Sequence, residues 1–150
     1  QYFVDVCDII VPTGIYRAGA TADNYLPAAF PAAPDFTMLS ALVEAAQMLD
    51  IEVHVGPGWS GDAFYAPMDD ALAEKLAQAG VLSLEMESDT LFVVSNYRGW
   101  RAGAIFASDG TSEEIKPAWG EEAFRKGEEQ EISIAIEAMK QIALADQATE

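Results

Sequence analysis

Short apolar runs and amphipathic stretches take turns along the chain, which predicts strands that alternate with helices. The apolar runs are rich in β-branched residues and are bounded by proline and glycine, as strands usually are. They predict five strands, at Val6–Pro12, Gly14–Ala20, Ile51–Val55, Val81–Leu84 and Arg101–Ala107. The last run is apolar throughout after its first residue, which is typical of a strand covered on both faces.

The stretches between these runs repeat their apolar residues at helical spacing. Asp35 is predicted to cap a first helix whose apolar face carries Phe36, Leu39, Leu42, Val43, Ala46 and Leu49. Further helices are predicted from Pro67 to about Gln78, stopped by Gly80, and over Ser88–Tyr97, ending near Gly99. Strands that alternate with helices in this way indicate an α/β fold.

The final helix is predicted over Glu121–Ala145 and is the longest in the chain. Its predicted buried side carries Ile132, Ala135, Ile136, Met139 and Ile142. Two loops are predicted: Asn24–Pro34, which holds three prolines, and Gly110–Gly120.

Length and composition predict one domain, residues 1–150, because 51% hydrophobic residues can form a sizeable core. No apolar run is long enough to span a membrane and no signal segment opens the chain, so a soluble, cytoplasmic protein is predicted. Cys7 is the single cysteine, which excludes an internal disulfide. Its place in a strand-like run predicts a buried small hydrophobe.

The charge of the chain limits its partners. The 25 acids and 8 bases give a formal net charge of −17, and the bases form no patch. Such a field repels phosphate backbones and argues against nucleic-acid binding. It also suggests adaptation to high salt, where screening relieves the repulsion between like charges.

Two acids mark the most informative point of the sequence. Glu85 and Glu87 lie where a predicted strand meets a predicted helix, and ligands in α/β proteins usually bind at that end of a strand. Carboxylates are rarely buried without a partner. The alternative is structural, with one acid capping the helix and the other facing water.

Several motifs around this point occur in a known order. They are Cys7-Asp8-Ile9-Ile10-Val11-Pro12-Thr13, Asn24-Tyr25-Leu26-Pro27, Val55-Gly56-Pro57-Gly58-Trp59-Ser60-Gly61-Asp62-Ala63-Phe64-Tyr65, Leu84-Glu85-Met86-Glu87-Ser88 and Ala107-Ser108-Asp109-Gly110. With these motifs the chain resembles the purine nucleoside/uridine phosphorylase family over nearly its whole length. The resemblance implies a three-layer αβα fold with a mixed central sheet.

The resemblance also implies an activity, the reversible cleavage of a nucleoside by phosphate to give free base and ribose 1-phosphate. Phosphate is then a co-substrate, no organic cofactor or metal is needed, and assembly as a trimer or hexamer is expected. Glu87 is expected to accept hydrogen bonds from the ribose 2′- and 3′-hydroxyls, and Met86 to pack against the sugar. Glu85 either lies near the ribose and base or satisfies backbone donors.

The base is expected to meet residues from two other segments. Asp109, which the resemblance puts at the ligand side of the sheet, would protonate the leaving purine, and Ser108 would support it or touch the base. A turn aspartate is the alternative for Asp109. Phe64, and with it Tyr65, would stack on the base, although core packing is equally open for one of them.

Other residues bear on the same chemistry. The glutamine and arginine that read uracil in the pyrimidine branch have no counterpart in Ala66–Ala71, so a purine is slightly favoured over uridine. His54 is interpreted as a core or surface histidine rather than a metal ligand, and Arg125 as a solvated helix residue. Trp59 and Trp119 are considered as pocket residues, or Trp119 as part of a subunit contact.

One part of the family pattern is missing. In the family, the segment like Asp5 to Pro12 follows a glycine-rich phosphate loop, whereas this chain starts at Gln1 without Met. It is therefore expected to be the carboxyl-terminal portion of a longer protein that lacks the first strands of the sheet. Two alternatives to a phosphorylase stay open: a nucleosidase that uses water instead of phosphate, and an inactive fragment that binds a nucleoside or a partner segment.

Overall fold

The computed structural model describes residues 4–65, 67, 69–110 and 122–148. Its centre is a four-stranded sheet with the order β3-β2-β1-β4. The strands are β1 (Ile9–Arg17), β2 (His54–Ser60), β3 (Ser83–Glu85) and β4 (Phe106–Ala107). β2 is parallel to β1 and β3 is parallel to β2, whereas β4 is antiparallel to β1. The mixed sheet and its helices confirm the predicted α/β class and are consistent with the nucleoside phosphorylase type.

β1 joins what the sequence predicted as two strands. Its register against β2 slips by one residue between Pro12 and Ile15. Such a bulge changes the direction of the side chains that follow it. Accordingly Ile9 and Val11 belong to one core cluster and Ile15 to another. The predicted break at Thr13 is therefore a bulge within one strand.

Three strands differ from their predicted bounds because pairing, and not apolar character alone, decides where a strand lies. β2 begins three residues after Ile51 and continues through Gly58, where a side chain would meet Ile15 and Ser83 within 3 Å. β3 is shifted towards Glu85, which pairs with Ser60. β4 is only two residues long, although a strand was predicted over Arg101–Ala107.

The helices follow the sequence more closely. They are α1 (Phe36–Met48), α2 (Asp70–Gln78), α3 (Ser88–Arg98) and α4 (Glu122–Gln147), with a short 3-10 helix at Thr21–Asn24. Asp35 caps α1 by accepting a hydrogen bond from the Met38 amide at 3.0 Å, as predicted. Gly80 and Gly99 have φ angles of 83° and 70°, which explains why α2 and α3 stop just before them.

The buried face of α4 was predicted wrongly. The buried residues are Gly127, Ile134, Ala138 and Ile142, while Ile132, Ile136 and Met139 are 55%, 53% and 53% exposed. Only Ile142 is common to both sets. Gly127 lies against Cys7, since a side chain at residue 127 would be 3.0 Å from the Cys7 carbonyl oxygen. The 134, 138 and 142 positions lie in one core cluster with α1 and β1.

Cys7 also lies outside its predicted strand. It has a φ angle of 74° and belongs to a turn that precedes β1. The turn is closed by the Asp8 amide, which donates to the Asp5 carbonyl at 3.1 Å, and by the Asp5 amide, which donates to the Asp8 carboxylate at 2.9 Å. Cys7 therefore precedes β1, which starts at Ile9, and it is only half-buried.

Two apolar clusters hold the fold together. The larger combines Ile9 and Val11 of β1 with α1 and α4, and its buried members further include Ala41, Leu42, Ala45, Ala46, Ile134, Ala138 and Ile142. The smaller centres on Phe92 and Val93 of α3, both fully buried, with Ile15, Ala22, Ala32 and Ala102 around them. α2 contributes no buried residue and lies at the periphery.

Candidate functional site

The turn from β3 into α3 is organised by the carboxylate of Glu85. One oxygen, Oε2, accepts hydrogen bonds from the backbone amides of Glu87 at 2.8 Å and Ser88 at 2.7 Å. The other, Oε1, accepts a hydrogen bond from the Ser60 hydroxyl. Three donors therefore converge on this side chain at the N-terminus of α3.

Ser60 is the partner that the sequence reasoning missed. It is fully buried at the end of β2, and its Oγ also accepts a hydrogen bond from the Asp89 amide at 3.1 Å. In the sequence, Ser60 appears only as part of the Val55–Tyr65 motif, after the predicted end of its strand at Val55. The strand end at Ser60 and the register that pairs Ser60 with Glu85 are known only from the tertiary structure.

Glu87 has a different environment from Glu85. It precedes the first residue of α3, its side chain makes no helix-capping hydrogen bond, and it is exposed. Its Oε2 accepts one hydrogen bond, from the Met86 amide at 3.2 Å. The Glu87 carboxylate therefore keeps acceptor capacity for an external donor.

Glu87 lines a cleft of about 370 Å³. The cleft lies between the starts of α1 and α3, the 103–106 segment and α4. Its wall is largely apolar, with Met38, Leu42, Leu91, Ile105, Phe106 and Met139 among the lining residues. A polar group at the edge of an apolar cleft is typical of a small-molecule site.

Phe64 and Tyr65 follow β2 and are not part of a core. They are 69% and 94% exposed, and their rings contact each other edge-to-face with centroids 5.1 Å apart. Neither side chain is therefore packed in the core. Two aromatic faces stay accessible on the segment that begins at Ser60.

Ser108 and Asp109 lie towards the other end of β1 from the two glutamates. Because β4 is antiparallel to β1, Ala107 pairs with Ile9, whereas Glu85 is aligned through Ser60 with Arg17. The Ser108 backbone bonds to Cys7 and Asp8, and its hydroxyl donates to the Gly110 carbonyl at 2.7 Å. The antiparallel β4 thus aligns the residue before Ser108 with the start of β1, whereas the turn after Glu85 is aligned with its end.

The remaining candidates from the sequence are His54, Arg125 and Trp119. His54 Nε2 lies 3.0 Å from the Asp8 carboxylate, and Arg125 is exposed on α4. Within the part of the chain that the structure describes, no three His, Cys, Asp or Glu side chains are grouped so that they could hold a metal ion. Over the same residues, no helix has the length and apolar character to cross a membrane. Trp119 and most of the predicted loop 110–120 lie outside the described residues.

Comparison with known proteins shows the family of this chain. Residues 4–145 match the family described as the phosphorylase superfamily. The chain belongs to this superfamily. It is 40% identical to a guanosine phosphorylase of Halorubrum lacusprofundi over 110 residues, which cover 73% of this chain and 45% of that protein.

Uridine phosphorylases are similar over more of the chain. The enzyme named so in Klebsiella aerogenes is 31% identical over 95% of this chain and 61% of its own length. The one in Thermococcus kodakarensis is 31% identical over 98% of this chain and 55% of its own length. The chain therefore spans about half to three fifths of the length of these relatives.

Proposed function

We propose that this chain carries the nucleoside-binding part of a phosphorylase that converts a nucleoside and phosphate into free base and ribose 1-phosphate. Membership of the superfamily and the activities for which the relatives are named support an enzyme of this kind. One structural observation carries the proposal. The Glu85 carboxylate is occupied by backbone and Ser60 donors, while the exposed Glu87 carboxylate stands at the edge of an apolar cleft.

In this proposal Glu87 accepts hydrogen bonds from the ribose 2′- and 3′-hydroxyls. Cleavage of the base–ribose bond builds positive charge on the sugar, and a fixed carboxylate beside the ribose favours that charge more in the transition state than in the ground state. Met86 packs against the sugar. Phe64, with Tyr65 beside it, offers an exposed ring face for the base.

Asp109 is the proposed acid towards the leaving base, with Ser108 beside it. The cleft extends from Glu87 to Phe106, which is three residues before Asp109. The segment that carries Asp109 therefore continues from a residue that lines the same cleft as Glu87. Phosphate is the co-substrate, and we propose no metal or organic cofactor.

The proposed base is a purine, with uridine as the second candidate. The guanosine phosphorylase is the relative with the highest identity among those compared above, and the sequence lacks the glutamine and arginine expected for uracil. Uridine remains a candidate because relatives named for it match 95% and 98% of this chain. A homo-oligomer, a trimer or hexamer, is proposed from the resemblance alone.

The proposal is tested by base release from guanosine, inosine and uridine, with and without phosphate, at high salt. Two proteins are compared: this chain, and the guanosine phosphorylase relative with its matched stretch replaced by this chain. Release that requires phosphate in either protein supports the phosphorylase. Release without phosphate would identify a nucleosidase. No release by a folded replacement protein, while the unmodified relative is active, would contradict the proposal.

A further inference from the structure

We propose that Ser60 and Glu85 form a positioning pair, which holds the backbone of Glu87 and Ser88 so that the Glu87 carboxylate meets the ribose. The inference rests on the proposed function and deepens it. Neither residue of the pair is assigned a contact with substrate. Glu85, which the resemblance offered as a ribose neighbour, becomes a residue that acts through Glu87.

The first support is the set of hydrogen bonds that the Glu85 carboxylate accepts. Its Oε2 accepts hydrogen bonds from the amides of Glu87 and Ser88, at 2.8 and 2.7 Å, and its Oε1 accepts one from the Ser60 hydroxyl. A substrate hydroxyl would have to compete with these donors. The two amides belong to the residue that is proposed to bind ribose and to its neighbour, so any movement of the Glu85 carboxylate moves the Glu87 backbone.

The second support is the position of Ser60 itself. It is fully buried, and its single hydroxyl donates to Glu85 while it accepts from the Asp89 amide. It therefore fastens the start of α3 at two points, through the Glu85 carboxylate and directly at Asp89. A buried hydroxyl with both of its functions in use is costly to remove, because its partners are left without a bond.

The third support is what the pair connects. Ser60 ends β2 and opens the segment that leads to Phe64 and Tyr65, the proposed base side of the site. Glu85 ends β3 and opens the turn that carries Met86 and Glu87, the proposed ribose side. The Gly61 amide adds a bond of 2.9 Å to the Glu85 carbonyl. The pair thus sets the spacing between the two halves of a bound nucleoside.

The first test measures the backbone of the 150-residue chain and needs no activity. Amide hydrogen exchange at Glu87, Ser88 and Asp89 is compared in wild type, Ser60→Ala, Glu85→Gln and Ser83→Ala. Ser83 is a matched control, since its hydroxyl lies in β3 and has no hydrogen-bond partner. We expect exchange at these amides to be about tenfold faster or more in Ser60→Ala and Glu85→Gln. It should be unchanged in Ser83→Ala.

The second test is a double-mutant cycle in whichever protein releases base. Ser60→Ala is introduced alone and together with Glu87→Gln, and kcat/KM is measured for the nucleoside. A residue that acts through Glu87 should cost about tenfold in the wild-type background and little once Glu87 is replaced. An equal loss in both backgrounds, with the Glu87 and Ser88 amides unaffected, would overturn the positioning role.

The two tests separate failure of this inference from failure of the proposed function. If the amides are released in Ser60→Ala but no form of the protein cleaves a nucleoside, the pair holds the turn and the function is wrong. If cleavage occurs and Glu87→Gln reduces it, but Ser60→Ala leaves both exchange and kcat/KM at wild-type values, the function stands and the positioning pair is refuted.

Discussion

Glu85 and Glu87 are two residues apart in the sequence and face different surroundings in the fold. Backbone amides and a buried hydroxyl donate hydrogen bonds to the Glu85 carboxylate, whereas Glu87 is exposed beside the cleft. The same side-chain chemistry therefore allows the two different roles that we propose, a structural one for Glu85 and a ligand-binding one for Glu87. The difference comes from the donors within reach and not from the residue type.

Replacing Glu87 tests the ligand-binding role. In a protein that releases base, Glu87→Gln should reduce kcat/KM by about 10²-fold or more, because two charge-assisted hydrogen bonds to the ribose lose the acceptor charge. Stability should change little, since Glu87 makes no capping bond. Steady-state kinetics and urea unfolding measure the two effects. Glu44→Gln, an exposed acid on α1, is the control, and an equal effect of both changes would contradict the role.

Gly127 is a residue where two general rules disagree. Alanine is normally better than glycine inside a helix by about 1 kcal/mol. Here a Cβ would lie 3.0 Å from the Cys7 carbonyl oxygen and 3.2 Å from its Cα, and the Cys7 amide is bonded to the Ser108 carbonyl at 2.8 Å. We expect Gly127→Ala to destabilise the fold by about 1–2 kcal/mol. Urea unfolding measures this change in the free energy of unfolding, and Ser133→Ala, at an exposed position of the same helix, is the control. A Gly127→Ala variant that is more stable than wild type would refute the close contact.

Glu131 on α4 gives a prediction in pH. Burial raises the pKa of this carboxyl above its ordinary value, partly offset by a backbone hydrogen bond from Ala107. A carboxyl with a raised pKa in the folded state stabilises the fold when protonated and costs stability as pH rises through that pKa. Glu131→Gln should therefore be slightly more stable than wild type at neutral pH, by less than about 1 kcal/mol because the group is partly exposed.

The advantage of Glu131→Gln should shrink as pH falls and the wild-type carboxyl takes up its proton. Thermal unfolding of both proteins across the acidic range measures this. Glu129→Gln removes the same charge from an exposed position of the same helix and controls for the net charge of the chain. An identical pH dependence of the two variants would refute a specific effect of burial.

At the scale of elements, helix caps of the same kind have different consequences. Asp35 caps α1 and Asp69 caps α2, the latter by accepting from the Ala71 and Leu72 amides at 3.0 and 3.1 Å. α1 buries four residues in the larger cluster, whereas α2 buries none. The caps follow from local sequence, but their contribution to global stability follows from where each helix is packed.

The two caps can be compared directly. Asp35→Ala should lower the free energy of unfolding by about 1 kcal/mol, because loss of an N-cap weakens a helix that belongs to the core. Asp69→Ala should fray α2 locally and leave the midpoint of urea unfolding nearly unchanged. Urea unfolding and amide exchange within α2 measure these effects. Equal shifts of the midpoint would show that α2 unfolds only with the whole domain.

At the scale of the molecule, the charge of −17 is the dominant property. Like charges destabilise a compact state, and salt screens them as the Debye length falls to about 3 Å at 1 M. We expect the melting temperature to rise by on the order of 5–10 °C between about 0.1 and about 2 M KCl. A melting temperature independent of KCl would contradict adaptation to salt.

A matched variant isolates the charge effect from other effects of salt. Glu122, Glu128 and Glu129 are exposed on α4, and their joint replacement by glutamine reduces the net charge without touching the core. The variant should show a higher melting temperature at low salt and a smaller rise with KCl. If the rise is as steep as in wild type, the salt response has another origin.

How far the sequence could be interpreted depended on whether a feature was local. The Asp35 cap and the stops at Gly80 and Gly99 need only neighbouring residues, and all three were predicted correctly. The ends of β2, β3 and β4 depend on which strand lies alongside, and these were misplaced. The buried face of α4 was wrong because the helix is apolar over a wide arc, and only the tertiary structure shows which part of that arc packs against α1 and β1.

The same distinction between local and long-range features holds for the candidate site. By itself, the sequence determined the α/β class, the position of most helices, the excess of acid and the motifs by which Glu85, Glu87, Phe64 and Asp109 were found. Only the tertiary structure decided that Ser60 fastens Glu85, that Glu87 borders a cleft and that Asp109 lies towards the other end of β1. Spacing along a chain fixes periodicity and caps, whereas the pairing of strands and the donors around a carboxylate arise from segments far apart in sequence.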